Sequence, residues 1–120
     1  MVDLRLGEIE SRFAEIIWKN EPIVSSQLAL LAENELGWKK TTSYTVLKRL
    51  CQKGIFQNFN GKVTSLIKKE KYFSLKSEQF IEESFGGSLP AFLMAFTSGK
   101  PLTQREIKEI RKIISEYEEV

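Results

Sequence analysis

Apolar residues recur through the first half of the chain at the spacing of surface helices. In 6–19, LGEIESRFAEIIWK, the residues Ile9, Phe13, Ile16 and Ile17 share one stripe, and Glu8, Glu10, Arg12 and Glu15 fall mostly elsewhere. That pattern predicts a helix facing a core. Asn20-Glu21-Pro22 breaks it, and Ile23-Val24 has room only for a very short strand. Ser25 or Ser26 is placed to cap a second helix running to about Asn34, with Leu28 and Leu31 inward and Leu30 as a further candidate. A polar turn through Gly37 leads to Trp38, read as a hydrophobic anchor, and to a third helix from about Thr41 to Lys53. On that helix Ser43, Val46, Leu47 and Leu50 form the buried stripe, and Gly54 stands where a left-handed helix stop is expected.

Beyond Gly54 the period falls from 3.6 to 2. Ile55, Gln57 and Phe59 alternate with Phe56 and Asn58, Asn60-Gly61 is the strongest short hairpin signal, and 62–66 supplies the return strand. A long helix follows from Lys68 to Phe85, with Tyr72, Phe73, Leu75, Phe80 and Ile81 apolar, and Gly86-Gly87 ends it. Ser88 can cap a short, strongly apolar helix over 88–98 with Pro90 in its first turn. Thr103 and Glu106 then have capping-box spacing, Leu102 and Ile107 staple spacing, and Ile107, Ile110, Ile113, Ile114 and Tyr117 carry a stripe toward the C-terminus. Three helices and a hairpin are the order of a winged helix-turn-helix. The expected fold is therefore mainly α with a small β-hairpin wing. A winged helix-turn-helix domain is expected over 1–67 and a helical dimerisation region over 68–120.

At 120 residues the chain has length for one domain, or one compact domain with an appendage. Its single cysteine, Cys51, excludes an internal disulfide, and it contains no histidine. Neither a thiolate or imidazole metal site nor catalysis by an imidazole base is expected, and no cofactor. With no apolar run near the ~20 residues of a membrane span and no signal-peptide pattern, a cytoplasmic protein is expected.

The net charge of +2 says little, but its distribution says more. Between Gly37 and Lys76 stand ten basic residues and one acid, Glu70, a local net of +9 that the rest of the chain offsets with −7. An excess of that size is the footprint of a polyanion partner, although a lysine-rich solvated face is the plainer source. The excess coincides with the third helix, whose outward face carries Thr41, Thr42, Thr45, Lys48, Arg49 and Gln52, with Tyr44 at its margin. Short hydroxyls and long cations suit base edges and phosphates in a major groove. Thr42, Tyr44 and Thr45 are accordingly the candidates for base edges, and Lys39, Lys40, Lys48, Arg49 and Lys62 for phosphates, with Thr41 beside them. Arg49 could equally prop the helix through an ion pair, and Lys62 could be a plain turn lysine. The last two helices hold more apolar surface than they can hide against each other. A two-fold dimer through Phe92, Leu93, Phe96, Ile110 and Ile114 is expected, ahead of a monomeric core.

These residues resemble the penicillinase-repressor family, small bacterial repressors of beta-lactamase and methicillin-resistance genes with copper-responsive relatives. The resemblance covers nearly the whole chain. Leu6 to Trp18 is similar to the family's first helix, and Trp38, Thr42, Thr45, Leu47, Arg49, Leu50 and Gly54 match W-x-x-x-T-x-x-T-x-L-x-R-L-x-x-x-G. Phe85-Gly86-Gly87-Ser88 matches its glycine-pair corner. Leu93 to Phe96 and the 102–114 helix resemble its dimerisation arm. The resemblance implies a homodimer that represses transcription from a palindromic double-stranded DNA operator. It also implies inactivation through a membrane sensor-linked protease, by cleavage between Ala95 and Phe96. The family pattern often has asparagine where this chain has Ala95. The cysteine-rich tail of the copper-responsive members has no counterpart here, so copper sensing is not expected. Thr41 and Tyr44 stand where well-known members carry basic residues, which predicts a different operator. A winged-helix module binding an acidic protein is the alternative, and an enzyme the weakest reading.

Overall fold

The computed structural model of the chain describes residues 2–118. Its elements follow in the order α1 (Glu8–Asn20), β1 (Ile23–Val24), α2 (Ser25–Leu36), α3 (Lys40–Gln52), β2 (Phe56–Phe59), β3 (Lys62–Ser65), α4 (Lys69–Phe85), α5 (Leu89–Gly99) and α6 (Gln104–Glu118). This is a winged helix followed by C-terminal helices, as the periodicity predicts. The chain forms two compact units, Met1–Ser77 and Glu78–Val120, so the division falls inside α4.

The core of the first unit collects the inward stripes of the first three helices. Phe13, Ala14, Ile16 and Ile17 of α1, Leu28, Ala29 and Ala32 of α2, and Val46, Leu47 and Leu50 of α3 are all buried. Ile55, Phe56, Val63 and Tyr72 complete it. At the margins, Ile9 departs from its expected inward stripe and the further candidate Leu30 does not turn inward. Ile9 and Leu30 are exposed, because α1 begins only at Glu8 and α2 turns its alanines, Ala29 and Ala32, toward the core instead. Trp38 is half-buried, with its ring centroid 5.0 Å from that of Phe13, and it anchors the entry to α3.

The helix starts show what sequence spacing can miss. Neither Ser25 nor Ser26 caps α2: Val24 occupies the cap position, because β1 runs straight into the helix. The Ser25 amide donates instead to the Gly61 carbonyl at 2.7 Å. At α1, Gly7 precedes the helix and its amide donates to the Glu10 carboxylate at 3.0 Å. Ser88 and Thr103 do cap, accepting from the Ala91 and Glu106 amides, and the Thr103 amide donates in turn to the Glu106 carboxylate at 2.9 Å.

The sheet order is β1-β3-β2, antiparallel throughout, with Ile23 opposite Val63, Val24 opposite Lys62, and Phe59 opposite Lys62 on the other side. Asn60 and Gly61 both take positive φ, 51° and 83°, the geometry a two-residue hairpin turn requires. The hairpin therefore projects from the core with its root fixed by Phe56 and Val63, while β1 braces it from the side.

An extended N-terminal strap crosses this unit. The Asp3 amide donates to the Lys53 carbonyl at 2.9 Å, the Tyr72 hydroxyl donates to the Leu4 carbonyl at 2.6 Å, and the Lys53 ammonium donates to the Arg5 carbonyl. Leu4 and Leu6 pack on the core. The strap thus ties the end of α3 to the start of α4.

Glu21, just after α1, makes a second tie. Its carboxylate accepts from the Ser65 amide and hydroxyl, each at 2.8 Å, and from the Lys68 ammonium at 3.1 Å. Burial pushes this carboxyl up, but the Ser65 bonds and Lys68 outweigh burial and hold it below the ordinary glutamate value. A carboxylate depressed in the folded state stabilises above its unfolded pKa, and that stabilisation drains away as pH falls through the folded value. Urea midpoints of the wild type should therefore decline on acidification below 4.5. Glu21→Gln should lower stability at neutral pH and flatten that decline. An equal acid slope in both proteins would show that Glu21 is not its source.

Candidate nucleic-acid interface

Burying Ser43, Val46, Leu47 and Leu50 dictates which α3 residues face outward. Thr41, Thr42, Thr45, Lys48 and Arg49 are exposed, as are Lys39 and Lys40 at the helix start, and Tyr44 lies at the margin, partly exposed. One continuous face therefore brings together eight of the nine positions singled out as DNA contacts. Lys62, the ninth, is exposed beside the hairpin turn.

The local contacts sort these side chains by what they have left to offer. The Thr45 hydroxyl donates to the Thr41 carbonyl at 2.9 Å, so its proton is used and its methyl and lone pairs remain for a ligand. Thr41 and Thr42 have no hydroxyl partner among the described residues. The Lys40 ammonium stands 5.9 Å from the centre of the Tyr44 ring, within cation–π range, which pre-positions the two as a pair. Tyr44, Leu47, Lys48, Cys51 and Asn58 line a shallow groove between α3 and the wing. Burial pushes the Cys51 thiol up, which favours the neutral form.

Charge counting along the sequence overstated the free cations. Lys53 pairs with Glu10 at 3.4 Å, Lys68 with Glu21 at 3.1 Å and Lys69 with Glu15 at 2.9 Å. These three lysines of the +9 segment are bound to acids of α1 and its C-terminal flank. Lys39, Lys40, Lys48, Arg49 and Lys62 have no carboxylate partner among the described residues. For Arg49, no ion pair props the helix within that set. The cations left unpaired are thus those of the α3 face and the wing, with Lys71 and Lys76 further along. Lys48→Ala should lower the slope of log affinity against log salt by about one per half-site while weakening all duplexes alike. A titration with an unchanged slope would remove Lys48 from the phosphate contacts.

In the second unit, α5 and α6 contain no buried residue. Phe92 meets Phe80, Phe85 and Phe96 with ring centroids 5.9, 5.4 and 6.1 Å away, an aromatic cluster that closes part of the unit. Leu93 and Ile110 are half-buried, while Phe96 and Ile114 are exposed. Met94 is 75% exposed, and Leu89, Ile113 and Tyr117 are exposed with it. The Ala95–Phe96 peptide lies inside α5, with the Ser98 hydroxyl donating to the Ala95 carbonyl at 2.8 Å. Among the described residues no helix is long and apolar enough to cross a membrane, and none of their acidic or cysteine side chains group as a metal site.

Comparison with known proteins points the same way as the geometry. The penicillinase repressor family model matches residues 6–116. The penicillinase repressor of Bacillus licheniformis is 26% identical over 117 residues, covering 94% of this chain and 91% of that protein. The methicillin resistance regulatory protein MecI of Staphylococcus aureus is 24% identical over 119 residues, covering 92% and 93%. The penicillinase repressor of Staphylococcus aureus is 21% identical over 105 residues, covering 84% and 83%.

Proposed function

Since the chain belongs to the penicillinase repressor family, we propose that it is a homodimeric transcriptional repressor that reads a palindromic operator with α3 and its wing. The observation that carries this reading is the coincidence of unpaired cations and exposed threonines on one face of α3, while Lys53, Lys68 and Lys69 of the same basic segment are paired with carboxylates. Thr42, Tyr44 and Thr45 read base edges, and Lys39, Lys40, Lys48, Arg49 and Lys62 hold phosphates, with Thr41 alongside. Tyr44 can meet a thymine methyl but cannot make arginine's bidentate bond to guanine, so the operator differs from one read by a basic residue at that position.

Dimerisation runs through the arm, with Phe96 and Ile114 as exposed apolar contacts and Phe92, Leu93 and Ile110 behind them. A two-fold pair sets two α3 helices against half-sites spaced by about one helical turn or a multiple of it. Release from the operator follows cleavage at Ala95–Phe96 by a sensor-linked protease. Cutting there requires α5 to open, since a protease takes its substrate extended.

The test is a salt titration on duplex DNA. Ten cations in a dimer, five from each chain, set an upper slope of about −9 in log affinity against log salt. Retention on a duplex column at moderate salt with a steep salt dependence supports the reading. Passage straight through the column would end it.

A further inference from the structure

Residues 2–6 touch three helices and belong to none of them. The backbone makes the contacts. The Asp3 amide donates to the Lys53 carbonyl at 2.9 Å, and the Leu4 carbonyl accepts from the Tyr72 hydroxyl at 2.6 Å. The Arg5 carbonyl accepts from the Lys53 ammonium, which also pairs with Glu10 of α1 at 3.4 Å. Lys53 is the C-terminal cap residue of α3, the DNA-reading helix of the proposed repressor. Tyr72 stands in the first turn of α4, 3% exposed, with its ring 5.3 Å from that of Trp18. A Cβ added at Gly54 would lie 3.4 Å from the Val2 side chain, so the segment runs directly over the exit from α3.

These bonds are few against what they order. Extended backbone loses conformational entropy at every residue it fixes, on the scale of the net gain from one hydrogen bond. Leu4 and Leu6 are only half-buried, and Val2 and Arg5 are exposed. Docking is therefore a shallow equilibrium that opens without unfolding the core. Its points of attachment give it leverage. Lys53 ends the helix whose outward face carries the unpaired cations, and Tyr72 opens the helix along which the chain leaves the first unit. Docked, the segment makes the end of α3 and the start of α4 one body. Released, α3 keeps its buried stripe but loses the brace at its C-terminal end.

We propose that residues 2–6 are a two-state strap that positions α3 for DNA, with Tyr72 and Lys53 as the positioning residues that hold it. This rests on the DNA-reading role of α3 and adds a control on it. A strap that favours DNA binding when docked is itself held more firmly when DNA is bound, by the same factor. The coupling reaches α4 as well, since a shift of its first turn draws the Tyr72 hydroxyl from Leu4 and frees the end of α3. Arg5, the exposed cation of the strap, is already paired with Asp3 at 3.1 Å. The strap thus acts through α3 and not by holding a phosphate.

Hydrogen exchange at the Asp3 amide, with and without a duplex selected from random sequences, tests this. The duplex should slow that exchange about fivefold or more in the wild type, which a merely structural strap would not show. Tyr72→Phe removes one hydroxyl and leaves the ring in the core, and Leu4→Ala loosens the strap from its other side. Both should speed Asp3 exchange with an unchanged helical signal. Both should also weaken duplex binding several-fold, by no more than the factor by which the duplex slows exchange, and with an unaltered salt slope because no charge is lost. Arg5→Gln should likewise keep the wild-type slope. A lowered slope there would put the strap on the DNA itself and overturn the proposal. So would Asp3 exchange indifferent to the duplex, or faster exchange in both variants at wild-type affinity. If those results come while the wild type binds with a steep salt dependence, the strap fails and the DNA-reading role stands. Failure of the wild type to bind any duplex removes both.

Discussion

Replacing Ile114 by aspartate should convert the proposed dimer to monomers and weaken operator binding by about 10²-fold or more, the advantage that linking two half-sites confers. In the single chain Ile114 is 51% exposed on α6, next to Ile113 and Tyr117, which are exposed too. The apolar stripe from Ile107 to Tyr117 is thus half-buried at Ile107 and Ile110 and exposed at Ile113, Ile114 and Tyr117 among the described residues. A charge in that stripe costs the protomer little, since water already reaches the position. It costs a buried interface a great deal, because an unpaired carboxylate would have to be desolvated. Phe92 is a poorer place for the test, since it also closes the aromatic cluster with Phe80 and Phe85. Sedimentation should show monomers with an unchanged helical signal. Dimers with full operator affinity would place the interface elsewhere.

Phe56→Ala should destabilise the first unit by about 3–5 kcal/mol, the usual cost of emptying a large aromatic site in a packed core. Phe56 is fully buried, and its ring centroid lies 5.2 Å from that of Trp18. Trp18 in turn stacks near Tyr72 at 5.3 Å and donates its indole N–H to the Ile67 carbonyl at 3.0 Å. Removing Phe56 therefore loosens the point where α1, the wing root and α4 meet. For a domain whose whole stability is about 5–15 kcal/mol, the loss consumes a large share of the total. Urea unfolding followed by Trp fluorescence measures it directly. A loss below about 1 kcal/mol would mean that the site collapses and refills.

The periodic parts of this fold were legible because each burial choice repeats. Ser43, Val46, Leu47 and Leu50 of α3 face inward as the 3.6-residue spacing requires, and that alone determines the outward face. Asn60-Gly61, Ser88 and the Thr103–Glu106 pair were legible because their chemistry is local. Alternation broke down just after Gly54: Ile55 and Phe56 are adjacent and both fully buried, since Ile55 belongs to the tight exit from α3 rather than to the strand. The N-terminal strap gave no signal, because extended backbone held by hydrogen bonds to Lys53 and Tyr72 carries no period. The pairing of Lys53, Lys68 and Lys69 was hidden for a related reason. Their acids lie 43 to 54 residues away in sequence. Counting charge along the chain marks the segment, and only the folded geometry separates its unpaired cations from those paired with carboxylates.

The proposed repressor rests on two matched α3 faces, held together by the C-terminal arms and directed at one duplex. Selection of binding sites from random duplexes tests it most directly. The expected outcome is a palindrome whose two half-sites lie about one helical turn, or a multiple of it, apart, enriched by the wild type and lost with Ile114→Asp. Enrichment of a single unpaired site, or of no sequence at all, would contradict it.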